Sequence, residues 1–391
     1  MRNIRLAYIL AYLNASWFWF GIWILYYLLF TNYAGIGLIE SVMISTAVLL
    51  EIPTGAIADL LGKKKSLVIA FLFIGIGNVL MGLSMNLMHL LITVVIINIG
   101  YTLHSGTFEA LIFDTLKQNK AEDQYNQVLA RINSIQLTAY AISSIVGGFM
   151  YALNPRLPHI AVGIAGILAM LVSMLLIEPQ IDTITFSFQN YLRQTQQGFI
   201  QLFKSKLPIS YTVLMISIGA FLIVVWENLD NALAVSYGFS DTQMGIFFAG
   251  AYIIAALASQ LTPWISKKLP SKTALIVLSL LLAASIVVSP WIGLILGGAM
   301  IIIRSSLKPI IENITSNIIN SQVESKYRAT TLSTYQMLTK LPYVITAFMI
   351  GFLMDYISVK TFALYFGVLL FVVIALNLLP LLFYKKTAKS K

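Results

Sequence analysis

Several charged residues lie within or close to long apolar stretches of this 391-residue sequence, and five of them are candidates for a polar site inside the membrane. They are Glu109, Arg304, Lys308, Glu312 and Lys340. A charge at the centre of a lipid bilayer costs roughly 2.5–3.5 kcal/mol on insertion scales, so such residues normally face a polar cavity or a charged partner. The five residues therefore predict a cavity that binds a proton or a charged solute, or structural pairing between buried helices.

Three of these charges share one predicted helical face. Arg304, Lys308 and Glu312 follow one another at intervals of four residues, which places them on successive turns. Lys308 and Glu312 have opposite charges and are expected to neutralise each other, whereas Arg304 and Lys340 have no partner nearby in the sequence. Arg304, Lys308 and Lys340 are therefore candidates for lining a substrate cavity.

Carboxylates supply the proton-coupling candidates, because acidic residues inside membrane helices commonly carry protons. We expect Glu109 to have this role, with Glu312 and Glu51 as further candidates. Glu227 and Asp230 lie near the outer end of an apolar stretch and are expected to belong to an outer vestibule. Glu227 is also a candidate for lining the substrate cavity.

Aromatic residues are dense in the first apolar stretch. Trp19 and Trp23 are candidates for lining the substrate cavity, since aromatic rings attract lipophilic cations. Most members of so dense a group are expected to face lipid or neighbouring helices instead.

The elements that must position these residues are long apolar segments. The sequence is 59% hydrophobic and 10% charged, too little charge for the surface of a soluble protein. A transmembrane helix needs about 20 apolar residues. Twelve such stretches occur, at about 4–30, 36–58, 66–84, 88–113, 125–151, 158–177, 208–231, 240–263, 271–289, 290–314, 328–352 and 358–384. We therefore predict an all-α membrane protein with twelve transmembrane helices.

Basic residues are concentrated on one side of this predicted twelve-helix chain. Most of the 25 Lys and Arg residues, including Lys63, Lys64, Lys385 and Lys386, fall in segments on that side. Such an excess marks the cytoplasmic face, so a multi-pass protein of the cell membrane with both termini in the cytoplasm is predicted. The charges are dispersed among membrane segments and give no indication of nucleic-acid binding.

A short loop between the second and third apolar stretches carries a recognisable motif. Residues 55–67 read Gly-Ala-Ile-Ala-Asp-Leu-Leu-Gly-Lys-Lys-Lys-Ser-Leu. They resemble the loop between helices two and three of the major facilitator superfamily, with the pattern G-x-L-a-D-r-x-G-r-k-x-x-l. The matching residues are Gly55, Ala58, Asp59, Gly62, Lys63, Lys64 and Leu67. Ile57 replaces Leu, and Leu60 replaces the basic residue that usually follows the Asp.

This resemblance implies a secondary transporter of two pseudo-symmetric six-helix bundles that works by alternating access. It also implies a conformational latch at the cytoplasmic side, in which Asp59 faces the start of helix eleven and Lys63 or Lys64 pairs with Asp114. The expected latch residues are Gly55, Asp59, Gly62, Lys63, Lys64 and Asp114.

The longest polar stretch divides the sequence into two halves. We predict an N-terminal bundle over 1–177, an amphipathic cytoplasmic linker over 178–207 and a C-terminal bundle over 208–391. The halves resemble weak copies of each other, since Glu109 corresponds to Glu312. In many secondary transporters built from such repeats the binding site lies between the halves.

Helix five departs from the antiporter signature of the family, G-P-x-x-G-G. Gly147 and Gly148 retain its paired glycines, but Ser143 and Ser144 replace the Gly-Pro pair, which weakens the antiporter assignment. Residues 51–55 and 106–114 resemble bacterial drug-efflux-like members with twelve helices.

The favoured interpretation is a proton-coupled exporter of small amphipathic or drug-like compounds. One alternative is a transporter of an anionic solute bound by Arg304, Lys308 and Lys340, and another is a non-transporting membrane receptor. An enzyme is not expected, because the three His residues are scattered and Cys is absent. No cofactor or metal is expected, and the predicted partners are the lipid bilayer, a small-molecule substrate and protons. We expect a monomer.

Overall fold

The computed structural model describes residues 1–180, 188–203, 208–324 and 327–388. These residues form α-helices joined by short turns, and the described part contains no β-strand. Helices are expected from long apolar sequences because lipid offers no hydrogen bonds, so each backbone group must be satisfied within its own segment.

Within the described ranges, ten helical segments are long and apolar enough to span a membrane. An eleventh is counted if Thr262–Lys268 and Ser271–Val287, which meet at a bend of 117°, form one broken span. The sequence predicted twelve. The first predicted span, 4–30, differs because it is not a continuous helix but two short helices separated by turns.

The chain divides into two compact units. Unit 1 contains Met1–Phe188 and Ser240–Ala249, and unit 2 contains Gln189–Phe239 and Gly250–Lys391. The domain limits predicted from the sequence remain a prediction, and residues 181–187 and 204–207 of the predicted linker lie outside the described residues.

Unit 1 contains the first eight helices of the chain and the beginning of the twelfth helix. They are α1 (Arg2–Asn14), α2 (Trp23–Leu28), α3 (Tyr33–Leu61), α4 (Lys63–Gly82), α5 (Leu87–His104), α6 (Thr107–Gln118), α7 (Tyr125–Leu153), α8 (Leu157–Met174) and the first part of α12 (Asp241–Ser259). Helices α1, α4, α6, α7 and α8 share an apolar core that includes Leu10, Phe71 and Leu111.

Unit 2 contains the remaining helices. They are α9 (Phe188–Phe203), α10 (Ile209–Val224), α11 (Asp230–Tyr237), the rest of α12, α13 (Thr262–Lys268), α14 (Ser271–Val287), α15 (Leu294–Gln322), α16 (Arg328–Ile357) and α17 (Val359–Ala388). Helices α10 and α11 form one span, joined by a π-helical turn at Val225–Leu229. Such turns occur frequently at functional sites because they displace side chains from the regular helical register.

Candidate substrate and coupling sites

The loop before α4 is held by two separate carboxylates. Gly62 has a φ of 85°, in the left-handed region that glycine adopts without strain, and this allows the tight turn between α3 and α4. Lys63 Nζ forms an ion pair with Asp114 Oδ2 of α6. Glu178, which follows the last predicted span of this half, accepts hydrogen bonds from the backbone N–H groups of Lys63 and Lys64, both at 2.7 Å.

These contacts bring together four of the predicted latch residues, Gly62, Lys63, Lys64 and Asp114. Lys64 contributes its backbone N–H to Glu178, while the Lys63 side chain makes the ion pair. Glu178 was not predicted from the sequence, although its position directly after an apolar stretch was a usable signal. Its carboxylate stabilises the first turn of α4, where backbone N–H groups are otherwise unsatisfied.

The side-chain contacts of three residues predicted from the sequence are not described. The surroundings of Glu51, Gly55 and Asp59 lie outside the described part of the structure, although the backbone of all three belongs to α3. The latch function therefore remains a prediction.

The most unusual feature of unit 1 is the interruption of its first span at residues 15–22, here named the first-helix break. Short-range hydrogen bonds replace the helical ladder there, for example from Phe20 N to Trp17 O and from Ile22 N to Trp19 O. Non-helical backbone at membrane depth is tolerated where it is buried in protein or lines a cavity. In many transporters, interrupted helices of this type form the binding site.

The first-helix break packs directly against α7. A Cβ atom at Gly147 would lie only 1.6 Å from the Phe18 carbonyl oxygen, so no side chain fits at that position. Gly21 makes a second close approach, since a Cβ there would lie 2.9 Å from Ser144 Oγ. Gly147 was expected to allow close helix packing, and in the structure its neighbour is the first-helix break.

An aromatic cluster surrounds the break. The Trp17 ring lies 5.2 Å from that of Trp19 in a stacked arrangement, 4.9 Å from Tyr140 and 6.0 Å from Tyr101. Phe20 contacts Trp17 and Tyr140 at 5.9 and 5.8 Å. These five side chains, from the break, α5 and α7, are named the aromatic cluster.

Polar atoms are present inside the aromatic cluster. Trp17 Nε1 faces the Tyr101 hydroxyl, and neither atom bonds to any other group in the described part of the chain. Buried N–H and O–H groups usually find a partner. The cluster thus combines ring faces with polar atoms that are available to a ligand.

The two tryptophans predicted from the sequence have different surroundings. Trp19 is half-buried and belongs to the aromatic cluster. Trp23 is only 8% exposed and packs edge-on against Tyr27 at 5.6 Å. Trp23 is therefore part of the buried core of unit 1 and does not line an open surface there.

In unit 2, Arg304 is buried and paired. Its Nε donates to Asp230 Oδ1 at 2.6 Å, and its Nη1 donates to the Ser285 carbonyl oxygen at 2.8 Å. The side chains of Arg304 and Asp230 are 0% and 6% exposed. From the sequence, Arg304 had no partner nearby and Asp230 was expected at an outer vestibule. Asp230 is instead buried, because α11 packs against α15 and Asp230 pairs there with Arg304.

Lys308 and Glu312 form the ion pair that their spacing suggested. Lys308 Nζ lies 2.8 Å from Glu312 Oε1 and 4.5 Å from the centre of the Trp226 ring. The Glu312 side chain is 53% exposed. Lys340 on α16 is exposed.

Glu227 lies in the π-helical turn and is half-buried. Lys308 and Lys340 are the basic groups that interact electrostatically with its carboxylate. The adjacent Asn228 is fully buried, and neither its amide nitrogen nor its amide oxygen has a hydrogen-bond partner in the described part. Glu109, in the first turn of α6, is exposed.

Comparison with known families identifies the chain. The model of the Major Facilitator Superfamily (MFS) matches residues 5–338. The chain belongs to this family. The family is one of multi-pass membrane transporters rather than of enzymes.

Curated relatives of this MFS member include bacterial proteins. It is 25% identical over 269 residues to YxaM, an uncharacterized MFS-type transporter of Bacillus subtilis (strain 168), covering 66% of this chain and 65% of YxaM. It is 24% identical over 200 residues to the quinolone resistance protein NorA of Staphylococcus aureus (strain MSSA476), covering 51% of this chain and 50% of NorA. The chain thus matches between half and two thirds of the length of these relatives.

Solved structures show the same fold. A point mutant of the nucleoside transporter NupG is similar with a TM-score of 0.79 and 14% identity, over 96% of this chain and 99% of NupG. A bacterial homolog of the human lysosomal transporter Spinster, in its inward-facing, unoccupied conformation, gives a TM-score of 0.74 and 14% identity, over 96% and 95% of the two chains. The MFS fold predicted from the loop motif is confirmed.

Proposed function

We propose that this MFS transporter exports small amphipathic compounds containing aromatic rings from the cell, in exchange for protons. The observation that carries the proposal is the aromatic cluster at the first-helix break. Trp17, Trp19 and Phe20 come from backbone that is not helical, so their rings are not restricted to one helical face. Together with Tyr101 and Tyr140 they offer stacking surfaces to a planar ligand.

The chemistry of the cluster favours ligands that are apolar with one polar or cationic group. Offset-stacked and edge-to-face ring pairs contribute about 0.5–1.5 kcal/mol each beyond burial of area. A cation over a tryptophan face contributes about 0.5–2 kcal/mol, depending on its desolvation. Trp17 Nε1 and the Tyr101 hydroxyl, which face each other and have no other partner in the described part of the chain, supply hydrogen bonds to a carbonyl or amine. Relatedness to a protein named for quinolone resistance supports the same class of compound.

Among the carboxylates, Glu227 is our first choice for the proton carrier. A proton carrier must exchange protons with water, and its charge must also interact with other groups of the site. Glu227 is half-buried and interacts electrostatically with Lys308 and Lys340. Asp230 is less suitable because Arg304 holds it in a buried ion pair. Glu109 is the second choice, and Glu312 and Glu51 remain candidates.

An anionic solute is the second candidate substrate class, and it was expected to bind Arg304, Lys308 and Lys340. Two of these cations already have carboxylate partners, Asp230 and Glu312. Lys340 is therefore the best remaining anion ligand of the three.

The proposed setting follows the distribution of charge in the sequence. We place the protein in the cell membrane with both termini in the cytoplasm, because Lys and Arg are concentrated on that side. We also propose that it works as a monomer by alternating access, with Gly55, Asp59, Gly62, Lys63, Lys64 and Asp114 acting as the latch.

Transport in proteoliposomes tests the proposal. Purified protein is reconstituted with an imposed pH gradient and an internal pH indicator, and it is then exposed to lipophilic cations, fluoroquinolones, neutral drugs and organic anions. We expect aromatic amphipathic compounds to collapse the gradient. Trp19→Ala should reduce their apparent affinity about tenfold, in line with the loss of a desolvated cation–π contact, whereas Trp291→Ala, at a 72% exposed position, should not.

The coupling residue is identified in the same assay. Glu227→Gln should abolish the proton flux that substrate triggers, while Glu122→Gln, which alters an exposed carboxylate in a surface turn, should retain it. Loss of flux in Glu109→Gln alone would assign coupling to Glu109. Gradient collapse by organic anions only, and its loss in Lys340→Gln, would replace our proposal with the anionic substrate class.

A further inference from the structure

A cavity of about 370 Å³ lies at the end of unit 1 where α1 begins and α6 ends. Its walls come from α1, α6, the 3₁₀ turn at Glu122–Gln124 and α7. The cavity shares no residue with the aromatic cluster, the loop before α4 or the charged groups of unit 2. Its volume falls in the lower part of the range for small-molecule sites, about 300–1,000 Å³.

The polar part of the cavity wall is basic. Arg5 from α1 and Arg131 from α7 line it together with Gln124 and Gln127, and no Asp or Glu is among its lining residues. Neither guanidinium has a carboxylate partner in the described part of the chain. Arg131 lies 5.7 Å from the centre of the Tyr8 ring, a contact that orients its guanidinium. Two exposed cations thus line one cavity, and the nearest carboxylates along the chain, Glu122 and Asp123, do not line it.

Part of the remaining wall is apolar and firmly packed. Ile4, Leu116 and Val128 line the cavity and are 8%, 0% and 6% exposed. They belong to the apolar core of unit 1, so this side of the cavity is preformed. A ligand that fills the cavity must therefore have a small carbon skeleton as well as a negative charge.

Two helix starts add to the positive potential of the cavity. Arg5 lies near the start of α1, and Gln124 immediately precedes α7. The N-terminal end of a helix carries a partial positive charge and unsatisfied N–H groups, which favour an anion nearby. The start of α1 and the two arginines therefore act in the same direction, whereas the exposed carboxylates Glu122 and Asp123 precede the start of α7.

The geometry points to a binding site for a phosphate group carried on a small glycerol-like body, as in the headgroup of an anionic phospholipid or a soluble phosphate ester. Arginine binds phosphate through two parallel hydrogen bonds, which gives this pairing both strength and geometry. The amides of Gln124 and Gln127 can bind the hydroxyl groups of such a body. Basic pockets between transmembrane helices bind lipid headgroups in this manner.

Native mass spectrometry of the full chain in detergent tests this site. The probes are phosphatidylglycerol, phosphatidylcholine and glycerol 3-phosphate, each titrated against wild-type protein and two double variants. Arg5→Gln/Arg131→Gln removes the two cavity cations. The control, Lys65→Gln/Lys117→Gln, removes two exposed cations that do not line the cavity.

We expect one phosphatidylglycerol or one glycerol 3-phosphate to bind in preference to phosphatidylcholine. The arginine double variant should bind it about tenfold more weakly, the effect of losing charged hydrogen bonds, and the lysine control should bind it as wild type does. Binding of the lipid alone identifies the headgroup as the ligand, and binding of the soluble ester identifies a site for a free anion. Equal loss in both double variants, or no preference over phosphatidylcholine, would overturn the proposal.

Conservative variants keep the test valid if the double variant does not fold. Arg5→Lys and Arg131→Lys retain the charge but lose the paired hydrogen bonds, so each should weaken binding severalfold. Binding that is unchanged in both would contradict a built phosphate site.

Discussion

The ion pair between Asp230 and Arg304 concentrates two full charges in the interior of unit 2. Both side chains are almost completely buried, and the guanidinium also donates to the Ser285 carbonyl oxygen. Removing one partner of a buried pair leaves an uncompensated charge, which typically costs about 3–5 kcal/mol. Replacing both partners with neutral groups avoids that penalty.

We therefore expect Asp230→Asn to destabilise the protein strongly, by about 3–5 kcal/mol, and the double variant Asp230→Asn/Arg304→Met to recover part of the loss. Unfolding of the detergent-solubilised protein by increasing SDS measures both effects. Lys308→Met, which breaks a partly exposed pair, is the control and should cost less than about 1 kcal/mol. Strictly additive effects of the two buried substitutions would show that the pair does not act as a unit.

Sequence reasoning identified Arg304 as unusual but could not find its partner. Asp230 lies 74 positions away along the chain, and no local spacing rule connects them. Lys308 and Glu312, by contrast, are four residues apart, and the helical repeat alone predicted their contact. Ion pairs within one helix can be predicted from the helical repeat. Ion pairs between helices can be found only once the packing of the helices is known.

The first-helix break is the element that could not be predicted from the sequence. Its residues are as apolar and aromatic as those of a continuous span, and neither Pro nor a cluster of charge marks residues 15–22. The interruption is instead accommodated by close contact with α7 at Gly147 and Gly21. Tertiary packing thus overrides local helix propensity, which the sequence pattern alone does not report.

A substitution at Gly147 tests this dependence. Gly147→Ala would place a Cβ atom against the Phe18 carbonyl oxygen, and overpacking of this kind typically costs about 1–3 kcal/mol. Gly250→Ala is the matched control in another helix, because no atom lies within 4 Å of the added Cβ. Removal of a helical glycine should leave that variant unchanged or up to about 1 kcal/mol more stable.

The same SDS unfolding experiment compares the two alanine variants, and transport of aromatic compounds should decrease only in Gly147→Ala. If Gly147→Ala were as stable and active as wild type, the first-helix break would not depend on this contact.

For the whole molecule, composition was the most reliable guide. Low charge and long apolar stretches predicted an all-α membrane protein, and the loop motif at 55–67 predicted the family; both predictions are confirmed. The count of twelve helices was less secure, because counting apolar stretches cannot detect a broken span or a bent pair such as Thr262–Lys268 and Ser271–Val287.

Membrane orientation is a property of the whole chain that can be measured directly. The sequence has no cysteine, so each introduced cysteine is unique. In intact cells an impermeant maleimide should label Trp291→Cys, which is exposed in a turn between two spans on the predicted outer side. It should not label Lys65→Cys until the membrane is opened.

The matched readout is the change in gel mobility caused by a high-molecular-weight maleimide, before and after permeabilisation. The reverse pattern, with Lys65→Cys labelled in intact cells, would contradict the assignment of both termini to the cytoplasm.

The stacking of Trp17 on Trp19 has an optical consequence. Six tryptophans are present in the chain, and three of them, Trp17, Trp19 and Trp23, lie in or directly after the first-helix break. Indole emission depends on neighbouring rings and on contact with water, so a ligand that enters the aromatic cluster changes the intrinsic fluorescence of the protein. The transporter thereby carries its own spectroscopic reporter at the site where we propose that substrate binds, and ligand titrations need no label.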